Sequence, residues 1–187
     1  MTGAFLYPVL LHYPVEDKDG NEISAAVTNL DLHDLARIAI TYETGDVWVV
    51  TPIPEQQQLV RDIVEYWTRG TGSRHNPDRK LALSKIRLAA YLEEVSQALC
   101  TDTSSPVFTV STSARKAGSE LSFESLRQLL KQRQGRYLLL FGTAHGISRR
   151  LRQQTDYQLE PIQAGGVYNH LPVRAAVAIT VDRLLGR

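Results

Sequence analysis

Tyr137-Leu138-Leu139-Leu140-Phe141 is an unbroken apolar run of strand length that ends at Gly142. A strand with one face in water alternates apolar and polar residues. A run with no polar position must be covered on both faces, as in the middle of a parallel sheet. This segment therefore predicts an α/β fold, a mostly parallel sheet flanked by helices. The rest of the chain agrees, because short apolar runs alternate with longer segments of helical period.

Phe5 to His12 reads as a first strand, with Pro8 tolerable only near an edge or start. A polar turn follows at 16–21. Leu32, Leu35, Ala36 and Ala39 mark an amphipathic helix, capped by Asn29 or Asp31. Asp46 to Thr51 is a second strand, stopped by Pro52 and Pro54. Leu59, Val60, Ile63, Val64 and Trp67 give the next helix its buried stripe. Residues 70–77 read as a loop, from which Asn76-Pro77 starts a helix running through Leu81, Leu88, Leu92, Val95 and Leu99. Pro106 to Val110 is a third strand. Ser122 caps a helix carrying Phe123, Leu126, Leu129 and Leu130. Arg136 to Gly142 and Tyr157 to Ile162 are the fourth and fifth strands, and the last helix carries Val173, Val177, Val181 and Leu184 on one face.

A chain of 187 residues, 43% hydrophobic and 22% charged, has room for one domain over 1–187 with a sizeable core. A net charge of +1 excludes a uniformly basic nucleic-acid coat, but not a local basic patch. Cys100 is the one cysteine, so neither an internal disulfide nor a cysteine-based zinc site can form, and the five histidines have no ligand-type spacing. No metal is expected. Without a leader-like N-terminus or an apolar stretch near the roughly 20 residues of a membrane span, a cytoplasmic protein with no membrane partner is expected.

Two segments can carry chemistry. The buried strand ends in Gly142-Thr143-Ala144-His145-Gly146-Ile147, a turn that brings backbone N–H groups to the carboxyl edge of the sheet, where nucleotides bind in open α/β folds. The glycines permit close backbone approach or positive φ. The turn is neither a dinucleotide fingerprint nor a phosphate-binding loop with its lysine. The second segment is Leu159-Glu160-Pro161-Ile162, a 163–167 loop made pliable by Gly165-Gly166, then Tyr168-Asn169-His170-Leu171-Pro172-Val173 opening an alanine-rich helix that Asn169 can cap. Arg149, Arg150 and Arg152 follow the first turn, and Arg69, Arg74, Arg79 and Lys80 surround the 70–77 segment. Such clusters suit phosphate contacts.

In order and spacing these two segments resemble the SPOUT superfamily of methyltransferases, across about residues 137–187. That superfamily has a strand-G-x-x-x-G-[IL] turn, then a proline-containing strand, a glycine-containing loop and a short N/H-x-[PS]-V-x-x-A-x-A-I helix. Here the residues are Leu140-Phe141-Gly142-Thr143-Ala144-His145-Gly146-Ile147, then Glu160-Pro161-Ile162, then Asn169-His170-Leu171-Pro172-Val173-Arg174-Ala175-Ala176-Val177-Ala178-Ile179. The resemblance extends to His12-Tyr13-Pro14-Val15 and Ser73-Arg74-His75-Asn76-Pro77. These point to a small bacterial group of AdoMet-dependent RNA methyltransferases related to tRNA guanine-N1 methyltransferases.

The resemblance implies a C-terminal deep trefoil knot, S-adenosyl-L-methionine (AdoMet) as cofactor, an RNA substrate (tRNA or rRNA) and a homodimer formed through the knot. The implied cofactor residues are Gly142, Thr143, Ala144, His145, Gly146, Ile147, Leu159, Ile162, Tyr168, Asn169, His170, Leu171 and Val173. Arg74, Arg149, Arg150 and Arg152 are the RNA-binding candidates. Ribose-methylating SPOUT enzymes have N-x-G-x-x-x-R before a helix. In the corresponding segment here Asp31 stands for the Asn, His33 for the Gly, and Arg37 falls on the functional Arg. Arg37 is thus the candidate for orienting a phosphate or activating the acceptor, and Asp31, His33 or His145 for accepting the proton. The competing expectations are a non-catalytic RNA-binding or regulatory module on the same fold, and an unrelated Rossmann-type enzyme. The latter needs an acidic ribose-binding residue after the second strand, where Thr51-Pro52 stands instead.

Overall fold

The computed structural model describes residues 4–100, 105–116, 118, 120–163, 165–166 and 168–186. Its strands are β1 (Ala4–Leu11), β2 (Val15–Glu16), β3 (Glu22–Ile23), β4 (Val47–Val50), β5 (Ile86–Ala89), β6 (Val107–Ser111), β7 (Gly135–Gly142) and β8 (Tyr157–Gln158). The helices are α1 (Asn29–Thr41), α2 (Pro54–Thr68), α3 (Gly72–His75), α4 (Pro77–Leu83), α5 (Leu92–Leu99), α6 (Phe123–Gln132), α7 (Arg149–Gln154) and α8 (Val173–Leu185). Six strands form one sheet in the order β5-β4-β1-β7-β6-β8, every pair parallel. β2 and β3 form a separate antiparallel hairpin.

β7 lies between β1 and β6, and its alternation divides the core. Tyr137, Leu139 and Phe141 pack with β1 residues Leu6 and Leu10 on the face covered by α1, α2, α4, α6 and α8. Leu138 and Leu140 pack with Val9 and Leu11 on the face covered by α5 and α7. Burial on both faces is why the run needs no polar position.

Several local expectations are corrected. The α1 cap is Thr28, whose extended backbone lets Oγ1 accept from the Asp31 N–H at 3.3 Å while donating to Asp31 Oδ2 at 2.6 Å. Asn29 and Asp31 lie inside the first turn instead. Pro54, read as a strand stop, is the first residue of α2, and Leu59 on that helix is exposed, leaving Val60 as its fully buried residue. The 70–77 segment contains the single turn α3, while Asn76 does cap α4, its side chain accepting from Arg79 N at 2.9 Å. The long helix expected through Leu99 is broken at Ser84-Lys85 into α4, β5 and α5. A four-residue strand is too short for periodicity to distinguish from a helical turn. The fifth strand shrinks to Tyr157–Gln158 plus a bridge at Leu159, and α7 lies between it and β7.

Candidate functional site

The chain leaves β1 toward β4 on one side of the sheet and leaves β7 toward β8 on the other. Their carboxyl ends part at this switch, which is where open α/β sheets form ligand crevices. A cleft of about 810 Å³ sits there, walled by the segments that follow β1, β6, β7 and β8.

The turn after β7 is stitched to the segment after β1. His145 N donates to Glu16 O at 3.0 Å, Glu16 N to Gly146 O at 2.9 Å and Ser148 N to Pro14 O at 3.1 Å. Thr143 donates through N and Oγ1 to Leu11 O, at 3.2 and 3.0 Å. Gly142 has no room for a side chain, since a Cβ would stand 2.4 Å from Ile147 N. Gly146 differs: its φ is +112° and a Cβ there would meet nothing within 4 Å.

The predicted cofactor residues Gly142 to Ile147, Leu159, Ile162, Asn169, His170, Leu171 and Val173 all line this cleft. Tyr168 does not. It is 81% exposed, with its ring edge-on to His170 at 5.4 Å. Asn169 is not the cap of α8; its Nδ2 donates to Ala114 O at 3.0 Å, tying the approach to α8 onto the loop after β6. Ala164 and Val167 of the 163–167 loop lie outside the described residues.

Of the α1 candidates, Asp31 alone lines the cleft. A helix turns about 100° per residue, so His33 and Arg37 point roughly 200° and 240° away from Asp31 around α1. His33 packs edge-on to Trp67 at 5.4 Å, and burial, then the nearby Arg79 charge, pulls its pKa down. Arg37 lines a second hollow of about 560 Å³ between α1 and α8. Asp31 is 6% exposed and pairs with Arg174 Nε at 3.7 Å; Arg174 Nη1 also reaches Asp34 at 3.2 Å. Sequence reasoning missed Arg174, although it directly follows the predicted Val173. It also missed Glu16 and Glu160 as cleft residues. Glu16 Oε1 accepts from Arg149 N at 2.5 Å, and Glu160 Oε1 from Phe123 N at 2.7 Å, so both carboxylates close helix N-termini.

Among the RNA candidates, Arg152 lines the cleft, and its buried Nε has no hydrogen-bond partner among the described residues. Arg149 and Arg150 are exposed on α7, Arg150 paired with Glu22 at 3.1 Å, and Arg74 is exposed on α3. Among the described residues no cluster of His, Cys, Asp and Glu could hold a metal, and no helix is long and apolar enough to cross a membrane.

Beneath the turn, His12 is fully buried with Nδ1 3.5 Å from Thr143 Oγ1. Burial lowers its pKa from 6.5 to about 4, with the Ala26 backbone opposing. The folded state holds His12 neutral, so its contribution is complete above pH 6.5 and disappears as pH falls to about 4. We expect this residue to account for roughly 3 kcal/mol of acid destabilisation. Urea denaturation at pH 7 and pH 4 measures it. The loss on acidification should be smaller by that amount in His12→Gln, and parallel losses in the two proteins would contradict the assignment.

A family model described as SAM-dependent RNA methyltransferase matches residues 5–186. A tRNA (guanine-N(1)-)-methyltransferase from Oleidesulfovibrio alaskensis is 41% identical over 184 residues, covering 98% of this chain and 43% of that protein. The chain thus spans less than half the length of that relative. An uncharacterized protein from Aquifex aeolicus is 39% identical over 187 residues, with 100% of this chain and 91% of the other covered. Among solved structures, the SpoU methyltransferase AviRb from Streptomyces viridochromogenes, in complex with AdoMet, superposes with a TM-score of 0.62 at 14% identity, covering 99% of this chain and 58% of that one. At that identity the likeness is one of fold.

Proposed function

The chain belongs to the family of SAM-dependent RNA methyltransferases, and from that premise we propose that it transfers the methyl group of AdoMet to RNA, with the acceptor held in the cleft at the sheet's carboxyl edge. The observation that carries this reading is convergence. Two stretches separated in sequence, the 142–147 turn and the later Leu159, Glu160, Ile162 and 169–174, meet Asp31 on the walls of one cleft.

The cleft fits the cofactor. Ile147, Leu159, Ile162 and Leu171 offer apolar surface for an adenine ring, and Gly146 leaves open space where a side chain would project. When bound, AdoMet supplies a methyl group already activated by its sulfonium. The protein's tasks are then to align the acceptor and to remove a proton. Asp31 is the base in this proposal, its carboxylate oriented by Thr28 and Arg174. Arg152 is the phosphate contact in this proposal, because a buried guanidinium nitrogen without a partner is costly unless a ligand completes it. We expect Arg152→Ala to weaken RNA binding, to flatten the log–log salt dependence by about 0.7 on single strands, and to leave AdoMet affinity nearly unchanged. Titrations at several salt concentrations measure both, and an unaltered slope would remove Arg152 from the RNA path.

tRNA is the favoured substrate class over rRNA, on the activity named for the Oleidesulfovibrio relative. The chain corresponds to only 43% of that protein, so the guanine N1 acceptor is not carried over with it. The proposal includes one domain, knotted over about 137–187, and a homodimer. Ala175 and Ala178 give α8 a small-residue surface beside the second hollow, where a partner can approach closely, and Arg37 on that hollow would serve the partner's cleft. Light scattering at micromolar concentration should give twice the 20.9 kDa of one chain; the monomer mass would contradict this part.

The test of the function is mass spectrometry of nucleosides from the RNA of cells lacking the protein. One methylated nucleoside should disappear and return on complementation. An unchanged set would count against the reading.

A further inference from the structure

We propose that the surface made by the end of α2, α3 and the start of α4 is a second RNA site outside the cleft, which binds a single-stranded segment by stacking on Tyr66 and by phosphate contacts from Arg69, Arg74 and Lys80. It rests on the reading that RNA is the partner. Residues 66–80 hold four basic side chains and one acidic one, Asp78, a net charge of +3 in a chain whose total is +1. The rest of the chain therefore carries a net charge of −2. Among the described residues, none of Arg69, Arg74, Arg79 and Lys80 lies within 4.0 Å of a carboxylate.

The aromatic part is built rather than incidental. Tyr66 is 50% exposed, and its ring stands perpendicular to Trp67 at 5.1 Å. Trp67 is fixed in turn by the Arg79 guanidinium 4.7 Å from its ring centre and by the edge of His33. The backbone of α3 presses on both rings: a Cβ on Gly72 would stand 2.7 Å from Trp67 and 2.8 Å from Tyr66. Glycine at that position therefore seats the α3 turn, with its exposed Arg74, against a preorganised Tyr66. Fixed aromatic rings among unpaired basic side chains are the arrangement that binds single-stranded nucleic acid, because every base has a face to stack. The site lies across α1 from the cleft: His33 touches Trp67, whereas Asp31, roughly 200° around the helix, lines the cleft wall.

The test uses the full chain and a short fluorescein-labelled single-stranded RNA of mixed sequence, with a duplex of equal length and polyglutamate as competitors, over a range of salt. Tyr66→Ala should weaken single-strand binding roughly 5- to 100-fold, while Tyr66→Phe keeps it. Joint replacement of Arg74 and Lys80 by Ala should reduce the salt slope by about 1.4. AdoMet affinity should be unchanged in all three. Full binding by both Tyr66→Ala and the Arg74/Lys80 variant, in a protein whose affinity falls with Arg152→Ala, would overturn this site and leave the cleft reading standing. Wild-type protein that binds no RNA would overturn both. Polyglutamate competing as well as RNA would replace the stacking site with a general anion surface.

Discussion

Gly142→Ala is expected to reduce AdoMet affinity by about two orders of magnitude or more, near 3 kcal/mol, and to lower stability by about 1–3 kcal/mol. The added Cβ would stand 2.4 Å from Ile147 N and 2.7 Å from the Gly146 carbonyl carbon. These are backbone atoms, which cannot rotate aside as the end of a side chain can. The turn is also pinned by the Gly146 N bond to Thr143 O and by its bonds to Pro14 and Glu16, so relief must displace the wall that would hold the cofactor. Gly146→Ala is the informative contrast. Nothing lies within 4 Å of its Cβ position, so its cost is the strain of a side chain at φ +112°, about 1–3 kcal/mol. Calorimetry with AdoMet, alongside urea denaturation of both variants, separates the effects. Gly142→Ala binding AdoMet with wild-type affinity would contradict the account of this turn.

The second large effect is expected at Asp31. Asp31→Asn should lower kcat by about 10²- to 10⁴-fold, the usual contribution of a positioned acid or base, with AdoMet and RNA affinities little changed. The substitution retains a side-chain oxygen to accept from Thr28 Oγ1, and Arg174 keeps its 3.2 Å contact with Asp34, so no buried charge is stranded. Single-turnover rates beside equilibrium binding make the comparison. His145 also lines the cleft but is exposed in the turn, and His145→Ala should cost far less. The opposite ranking of the two variants would transfer the proton-accepting role to His145.

What the sequence made legible follows from what local pattern can encode. The apolar Tyr137–Phe141 run of β7, the Asn76 and Ser122 caps and the glycine turn are each specified by adjacent residues, and the structure has all of them. The order of the two C-terminal segments likewise marked most of the cleft wall. β5 was illegible because four residues at a sheet edge, with Arg87 exposed and Leu88 half-buried, fit a helical stripe as well as a strand. α7 is six residues of charged and amide side chains around one leucine, with no buried stripe to reveal it. Asp31, His33 and Arg37 were grouped by linear spacing, yet helical geometry sends His33 to Trp67 and Arg37 to the second hollow. Arg174 was missed for the converse reason. Its role comes from α8 packing on α1, a contact between residues 140 positions apart.

The most direct measurement is transfer of labelled methyl groups from AdoMet to RNA by the purified protein, with RNA from cells lacking it as acceptor. The account predicts incorporation at one nucleoside, saturating with RNA, reduced about 10²-fold or more by Asp31→Asn and absent from RNA already modified in wild-type cells. A folded protein that binds AdoMet and RNA yet transfers no label to any RNA would contradict it, leaving a binding module on a methyltransferase fold.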